Sequence, residues 1–214
     1  MTEAESNLQI DLINNYFSAK ARFAVAPCRK EALRRLGDTL LSGESAWEPI
    51  KYVDQEDDIQ PAFAAVLRSQ NGNWGSTTWE AEVGRGTFNS ISAGRRAQIN
   101  YVFHMADEID RLQTDITRGE SRLKALASIT ELTRQERLRY LDQVMEIDQY
   151  GHRAEILSAR IVDFIDTMDL DLSEDELTGM QRGLNRMNSR NESIYGECAE
   201  EISFTFRDDV DDAE

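Results

Sequence analysis

Residues 133–168, TRQERLRYLDQVMEIDQYGHRAEILSARIVDFIDTM, decide the fold that we predict for this chain. Their apolar residues recur at alternating steps of three and four, which indicates a helix with one narrow apolar face. That face consists of Tyr140, Val144, Ile147, Tyr150 or Gly151, Ala154, Leu157, Ile161, Phe164 and Met168. Thr133 followed by Glu136 is a capping-box pattern and predicts the start of the helix. A length of about 50 Å favours an elongated protrusion or an oligomeric coiled coil.

Two flanking stretches repeat this spacing. A helix is predicted from Ala93 onward, and its stripe, which has two polar gaps, is Ile99, Val102, Ala106, Ile109, Gln113, Ile116, Glu120 and Leu123. Ser173 followed by Glu176 is a second capping-box pattern. It opens a helix with the stripe Leu177, Met180, Leu184, Met187, Asn191, Ile194 and Cys198. Three consecutive helices of this kind predict a long antiparallel helical hairpin or a three-helix bundle.

The N-terminal part of the chain has a different pattern. We predict helices over residues 5–22 and 27–41, separated at Pro27, because proline suits the first turn of a helix. Between residues 61 and 91 apolar residues alternate with polar ones and turn signals interrupt them, which predicts a small antiparallel sheet. A helix over residues 62–69 is the alternative, since so short an apolar run fits both.

The predicted fold class is therefore an α-rich α+β fold. A small helical and antiparallel-sheet domain occupies residues 1–92, and a heptad-patterned helical bundle occupies residues 93–202. Residues 202–206, ISFTF, alternate like a strand and would suit a place in the same sheet. Residues 203–214 form an acidic tail.

Charge is distributed unevenly along the 214 residues, which carry a net charge of −16. Residues 1–100 hold 13 acidic and 11 basic residues, whereas residues 101–214 hold 27 and 13. So acidic a chain has no general electrostatic attraction to nucleic acid or to an anionic membrane surface. We therefore expect direct nucleic-acid binding to be unlikely and expect no membrane association.

The two cysteines, Cys28 and Cys198, belong to no CxxC or Cys/His pattern. They predict free thiols, with neither a disulfide framework nor a zinc site. Free thiols suit a reducing compartment, and the N-terminus lacks a signal-length apolar run, so we expect a cytoplasmic protein.

One basic cluster opposes the acidic second half of the chain. It is centred on Arg29, Lys30, Arg34 and Arg35. A sign asymmetry of this kind suggests an oriented interaction between domains or subunits. We predict that the cluster binds an acidic protein surface, for which the chain's own second half is one candidate, rather than nucleic acid.

Residues 163–176 form an acidic run that includes Asp166, Asp169 and Asp171. The run lacks the glycine and the terminal glutamate that a calcium loop of the EF-hand type needs. We expect these carboxylates to act at helix ends, where the helix dipole favours anions. The alternative is that they contact a basic groove on another protein.

No motif identifies a reaction. His104 has Asp107 and Glu108 on the next turn, but a surface histidine is the simpler interpretation. Trp74 and Trp79 are expected in the core rather than in a base-stacking groove. We therefore predict no catalytic residue, no cofactor and no metal.

The function that the sequence favours is that of a non-enzymatic interaction or assembly subunit. Its heptad helices would pack against a protein partner or a second copy, through a seam containing Ile147 and Leu157. An acidic inhibitor or nucleic-acid mimic that occupies a basic groove is the main alternative. An enzyme with an unrecognised site has the least support.

Overall fold

The computed structural model describes residues 3–42, 91–127, 131–168 and 172–203, together with isolated positions, which are 74, 79, 81, 83, 85, 86, 129 and 170. These described ranges contain four long α-helices. They are α1 (Glu3–Leu41), α2 (Ala93–Leu123), α3 (Arg134–Asp166) and α4 (Glu174–Tyr195). Short 3₁₀ turns follow α2 at Lys124–Ala127 and α4 at Gly196–Cys198.

Both predicted capping boxes are confirmed. The Thr133 hydroxyl accepts a hydrogen bond from the backbone N–H of Glu136, whose carboxylate accepts one from the backbone N–H of Thr133. Ser173 and Glu176 make the same pair of bonds at the start of α4. The hydroxyl of each cap residue also donates to the glutamate carboxylate, and this bond, followed by the one from the backbone N–H, holds the pKa of each glutamate below its ordinary value, because both favour the ionised form. The starts of α3 and α4 are thus fixed by local sequence.

α1 and α2 lie parallel to each other. Arg22 donates a hydrogen bond to Gln113 and Arg29 donates one to Glu120, so both pairs are separated by 91 residues. A constant separation means that the two helices advance together. Both links also join the first part of the chain directly to the predicted bundle.

α3 packs along both of these helices and runs in the opposite direction. The Tyr16 hydroxyl donates to Asp166, whereas Gly37, farther along α1, faces Leu141. The same reversed order holds between α2 and α3, in the pairs Tyr101–Arg160 and Arg122–Gln143. We call these three helices the body. Their apolar faces form its core, which includes the fully buried Ile99, Ile109, Ile116, Ile147 and Ile161.

α4 was predicted to complete a bundle with α2 and α3, but α1 takes that place. The prediction of two helices separated at Pro27 is wrong, because α1 is one helix of 39 residues that continues through Pro27. Proline removes one helical hydrogen bond and crowds the preceding turn. The carbonyl of Ala24 in that turn accepts a hydrogen bond from the N–H of Glu200, at 2.8 Å. Tertiary packing along α3 then holds the helix together on both sides of the proline.

The predicted antiparallel sheet is also wrong. The described residues contain no β-strand, and Trp79, Ala81 and Val83, which alternate in the sequence, are helical. In a strand these three side chains would share one face, yet only Trp79 is buried. Trp79 stacks on Phe103, with ring centroids 5.9 Å apart, which confirms its place in the core.

Other parts of the sheet prediction cannot be compared with the structure. Residues 43–73 and 204–214 lie outside the described residues, and with them the alternative helix over 62–69 and most of the 202–206 segment. Ile202 and Ser203 are described and belong to no strand. The domain boundary after residue 92 stays a prediction, while α1 and α3 share one core.

Candidate functional site

An apolar groove lies between α1 and α4, on the opposite side of α1 from the core of the body. Its volume is about 550 Å³. Apolar side chains of both helices dominate its walls, which include Ile10, Ile13, Phe17, Met180, Leu184 and Met187. Ile10 is 45% exposed, so this groove leaves a large apolar side chain open to solvent.

Two glycines of α4 make the groove wide. Gly179 and Gly183 are one helical turn apart and both line the groove. A Cβ atom added at either position would have no neighbouring atom within 4 Å. The space above this face of α4 is therefore unfilled, and the backbone of a second helix has room to approach it closely.

The two ends of the groove differ in charge. Leu184 packs with Ala21. Farther along α1, Cys28 is bonded to Cys198, which follows the end of α4, so α4 runs parallel to α1. The groove consequently begins beside the acidic first turn of α4, Glu174–Glu176, and ends near Arg190.

A C-terminal segment packs on α1 next to the groove. We call residues 196–203 the strap. The backbone of Gly196 has φ +59°, a conformation that favours glycine, and there the chain leaves the direction of α4. Ile202 is buried against Ala21, Ala24 and Val25 of α1.

The prediction of two free cysteines is wrong. Cys28 and Cys198 form a disulfide bond, with their Cα atoms 5.6 Å apart. A separation of 170 residues gave no hint of this pairing, which depends on the parallel packing of α4 on α1. The cytoplasmic location was predicted partly from free thiols, and the disulfide removes that argument for it.

The predicted basic cluster is divided by the structure. Arg29 is buried between the helices of the body, and its Nη2 atom lies 3.2 Å from Glu120 Oε1. Lys30 is exposed and lines a shallow depression with Asp142, Glu146 and other acidic residues of α3. The basic helix therefore meets the acidic second half of its own chain at these two positions.

Arg34 and Arg35 remain on the surface, where they bond to residues of their own helix. Both donate to Glu31, and Arg34 also donates to Asp38. Hydrogen bonds from the two arginines lower the pKa of Glu31 to about 2. That a partner binds through Lys30, Arg34 and Arg35 stays a prediction.

The two seam residues are buried within the chain itself. Ile147 is 1% exposed and Leu157 is 9% exposed, and both belong to the core of the body. α1 is long enough to cover the stripe of α3, so its burial requires no second copy.

One residue of the acidic run has a local role. Asp166 accepts the hydrogen bond from Tyr16, and burial together with this bond raises the pKa of the Tyr16 hydroxyl. Glu176 is engaged in its capping box. Asp169 and Asp171 lie outside the described residues.

A second polar site, inside the body, escaped the sequence interpretation. Arg22 and Arg29 point from α1 toward the two polar gaps in the stripe of α2, Gln113 and Glu120. Burial, followed by repulsion from Arg29, lowers the pKa of Arg22 to about 10. The sequence held a signal for this site, because Arg22 and Arg29 are seven residues apart and so are Gln113 and Glu120. The sequence prediction counted the two α2 residues only as gaps in an apolar stripe.

The two histidines lie apart from each other in the described part of the chain. His104 and His152 line two separate shallow depressions. Glu108, a neighbour of His104, bonds to Arg153 instead. No group of three metal-ligating side chains occurs among the described residues.

No protein-family model, no curated protein and no solved structure matches this chain. None of the helices in the described ranges combines the length and apolarity needed to cross a membrane. Function must therefore be inferred from the geometry of the groove.

Proposed function

We propose that this protein is a non-enzymatic interaction protein that binds an amphipathic α-helix of another protein in the α1–α4 groove. The observation that supports this most is the unfilled apolar space above Gly179 and Gly183. Amphipathic helices bind in grooves of this kind by placing an apolar stripe against the groove walls. From Glu176 to Arg190 the groove suits a helix of about 14 residues, roughly 21 Å long.

The side chains of the groove suit an occupant that inserts from outside. Met180 and Met187 lie on its walls, and methionine adapts its flexible side chain to different apolar shapes. The two glycines allow close approach of a helix backbone. Ile10 would lose its exposed apolar surface on binding, which favours the complex.

Charge complementarity indicates a basic partner. The groove begins at an acidic turn, Glu174–Glu176, and the chain as a whole carries a net charge of −16. A helix with lysine or arginine beside its apolar stripe would be attracted over a distance and oriented along the groove. A second copy of this chain would bring another −16 and would be repelled, so a basic partner is favoured over self-association.

The alternative of an acidic inhibitor that mimics nucleic acid is less favoured. Asp166 is bonded to Tyr16 and Glu176 to Ser173, so these two carboxylates already have local partners. The groove is apolar, which a phosphate mimic does not need.

Two synthetic peptides of about 14 residues, with the same leucine stripe, test the proposal. One carries lysines and the other glutamates on its polar side, and binding is followed by fluorescence anisotropy. We expect the lysine peptide to bind, and to bind more weakly as salt rises. Preference for the glutamate peptide, or equal binding of both, would contradict the proposal.

A matched pair of variants locates the binding site. Gly183→Gln fills the groove, whereas Gly94→Gln adds the same side chain at the start of α2, where there is also open space. Both changes favour helix formation, so neither should unfold the chain. We expect Gly183→Gln to weaken binding of the lysine peptide at least about tenfold and Gly94→Gln to leave it unchanged. Equal effects of the two would show that the peptide binds elsewhere.

A further inference from the structure

The strap is attached to the rest of the chain at three points. The disulfide joins Cys198 to Cys28 on α1. The N–H of Glu200 donates to the carbonyl of Ala24, also on α1. Asn188 of α4 makes two hydrogen bonds, of 3.0 and 2.9 Å, with the backbone of Ile202. Among the described residues, the first two points are the ones that connect the strap directly to α1 through a bond or hydrogen bond.

The disulfide is placed where a reductant can reach it from one side. Cys28 is 6% exposed, whereas Cys198 is exposed at the surface. A thiolate in solution can therefore attack the sulfur of Cys198, with the sulfur of Cys28 as the leaving group. The hydrogen bond from Glu200 to Ala24 lies one turn from Cys28, in the turn that Pro27 disturbs.

We infer that the Cys28–Cys198 bond is a redox-controlled latch that holds the strap against α1. A dithiol attacks the sulfur of Cys198, breaks the S–S bond and forms a mixed disulfide. Its second thiol then displaces Cys198. Two electrons and two protons pass to the chain, which gains two thiols, while the dithiol becomes a disulfide.

Release of the latch has a defined structural consequence. Without the covalent bond, one hydrogen bond to Ala24 and the packing of Ile202 hold the strap on α1. A single hydrogen bond adds little net stability, so this contact opens more often once the covalent bond is broken. Opening uncovers Ala21, Ala24 and Val25 and extends the α1–α4 groove along α1. This last step rests on the proposed function, whereas the latch itself does not.

Hydrogen exchange at single amides, followed by NMR, tests the latch without any partner. The amide of Glu200 lies outside the regular helices and reports directly on the contact with α1. We expect its exchange to be at least about tenfold slower in the oxidised chain than in the dithiol-treated chain, while amides in the middle of α3 keep their protection. Cys198→Ser, at the exposed cysteine, should match the reduced chain whether or not dithiol is present.

Three results would overturn the inference. The first is free thiols in the air-oxidised protein, and the second is equal protection of Glu200 in both redox states. The third is loss of protection throughout α3 on reduction, which would mean that the bond stabilises the whole fold. Binding of the lysine peptide is measured in both states, and we expect tighter binding after reduction. If the peptide binds in neither state, the proposed function fails, while the exchange result still decides whether the latch exists.

Discussion

The two sides of α1 differ in how the space beside a glycine is used. In the body, a Cβ atom at Gly119 would lie 2.6 Å from Ile147, and one at Gly151 would lie 3.0 Å from Arg29. In the groove, a Cβ atom at Gly179 or Gly183 would meet nothing within 4 Å. Gly119 and Gly151 are thus required by close packing, whereas the groove glycines leave room for something outside the chain.

Because of this difference, we expect the body to determine the stability of the chain and the groove to determine its binding. The body pairs one buried charge internally, since Arg29 and Glu120 have side chains that are 8% and 10% exposed and bond to each other. The groove presents an apolar surface that the described residues do not cover. Substitutions in the body should therefore change the free energy of unfolding, and substitutions in the groove should change affinity.

The largest expected effect comes from a charge in the core of the body. Ile147→Asp removes a fully buried side chain and places a carboxylate in an apolar site. We expect a loss of more than about 4 kcal/mol in the free energy of unfolding, measured by urea denaturation followed by circular dichroism. A stable, folded variant would show that Ile147 is not in the core.

Breaking the buried ion pair should have the next largest effect. Glu120→Leu leaves Arg29 charged and buried, at an expected cost of about 3–5 kcal/mol. The double variant Arg29→Met with Glu120→Leu removes both charges and should recover most of that loss. If the double variant is as unstable as the single one, the pair is not what Glu120 contributes.

Two alanine substitutions test the comparison of the glycines, because we expect them to change the free energy of unfolding in opposite directions. Gly119→Ala forces Ile147 to move and should destabilise the chain by about 1–3 kcal/mol. Gly179→Ala meets open space and should stabilise it by up to about 1 kcal/mol, because alanine favours the helix. Thermal denaturation measures both changes. Destabilisation by both would mean that the face of α4 is packed after all.

Local signals in the sequence predicted the helix starts well, because a capping box involves residues only three apart. Thr133 and Ser173 begin their helices as expected. Most of the stripe of α3 was also predicted correctly, although Ile165 is buried where Phe164 was expected, and α1 was missed as a packing partner. Dividing α1 at Pro27 hid the second long helix that packs on α3, and the length of the stripe suggested a second molecule.

The remaining errors come from contacts between distant parts of the chain. Arginine is rarely buried, so Arg29 was interpreted as a surface residue, although Glu120 offered a matching gap on α2. The disulfide and the groove both depend on α4 lying parallel to α1, which no short pattern encodes. The groove glycines, Gly179 and Gly183, carried a signal only in their spacing on one face of α4.

We expect α4, which forms one wall of the groove, to open more easily than the body. Native-state hydrogen exchange tests this expectation most directly. The amides of Ile147 in α3 and Leu184 in α4 are compared in the oxidised chain under identical conditions. We predict that Leu184 exchanges at least about tenfold faster, through an opening that leaves α3 protected. Equal protection of the two amides would contradict the account, because it would show that α4 is as firmly packed as the body.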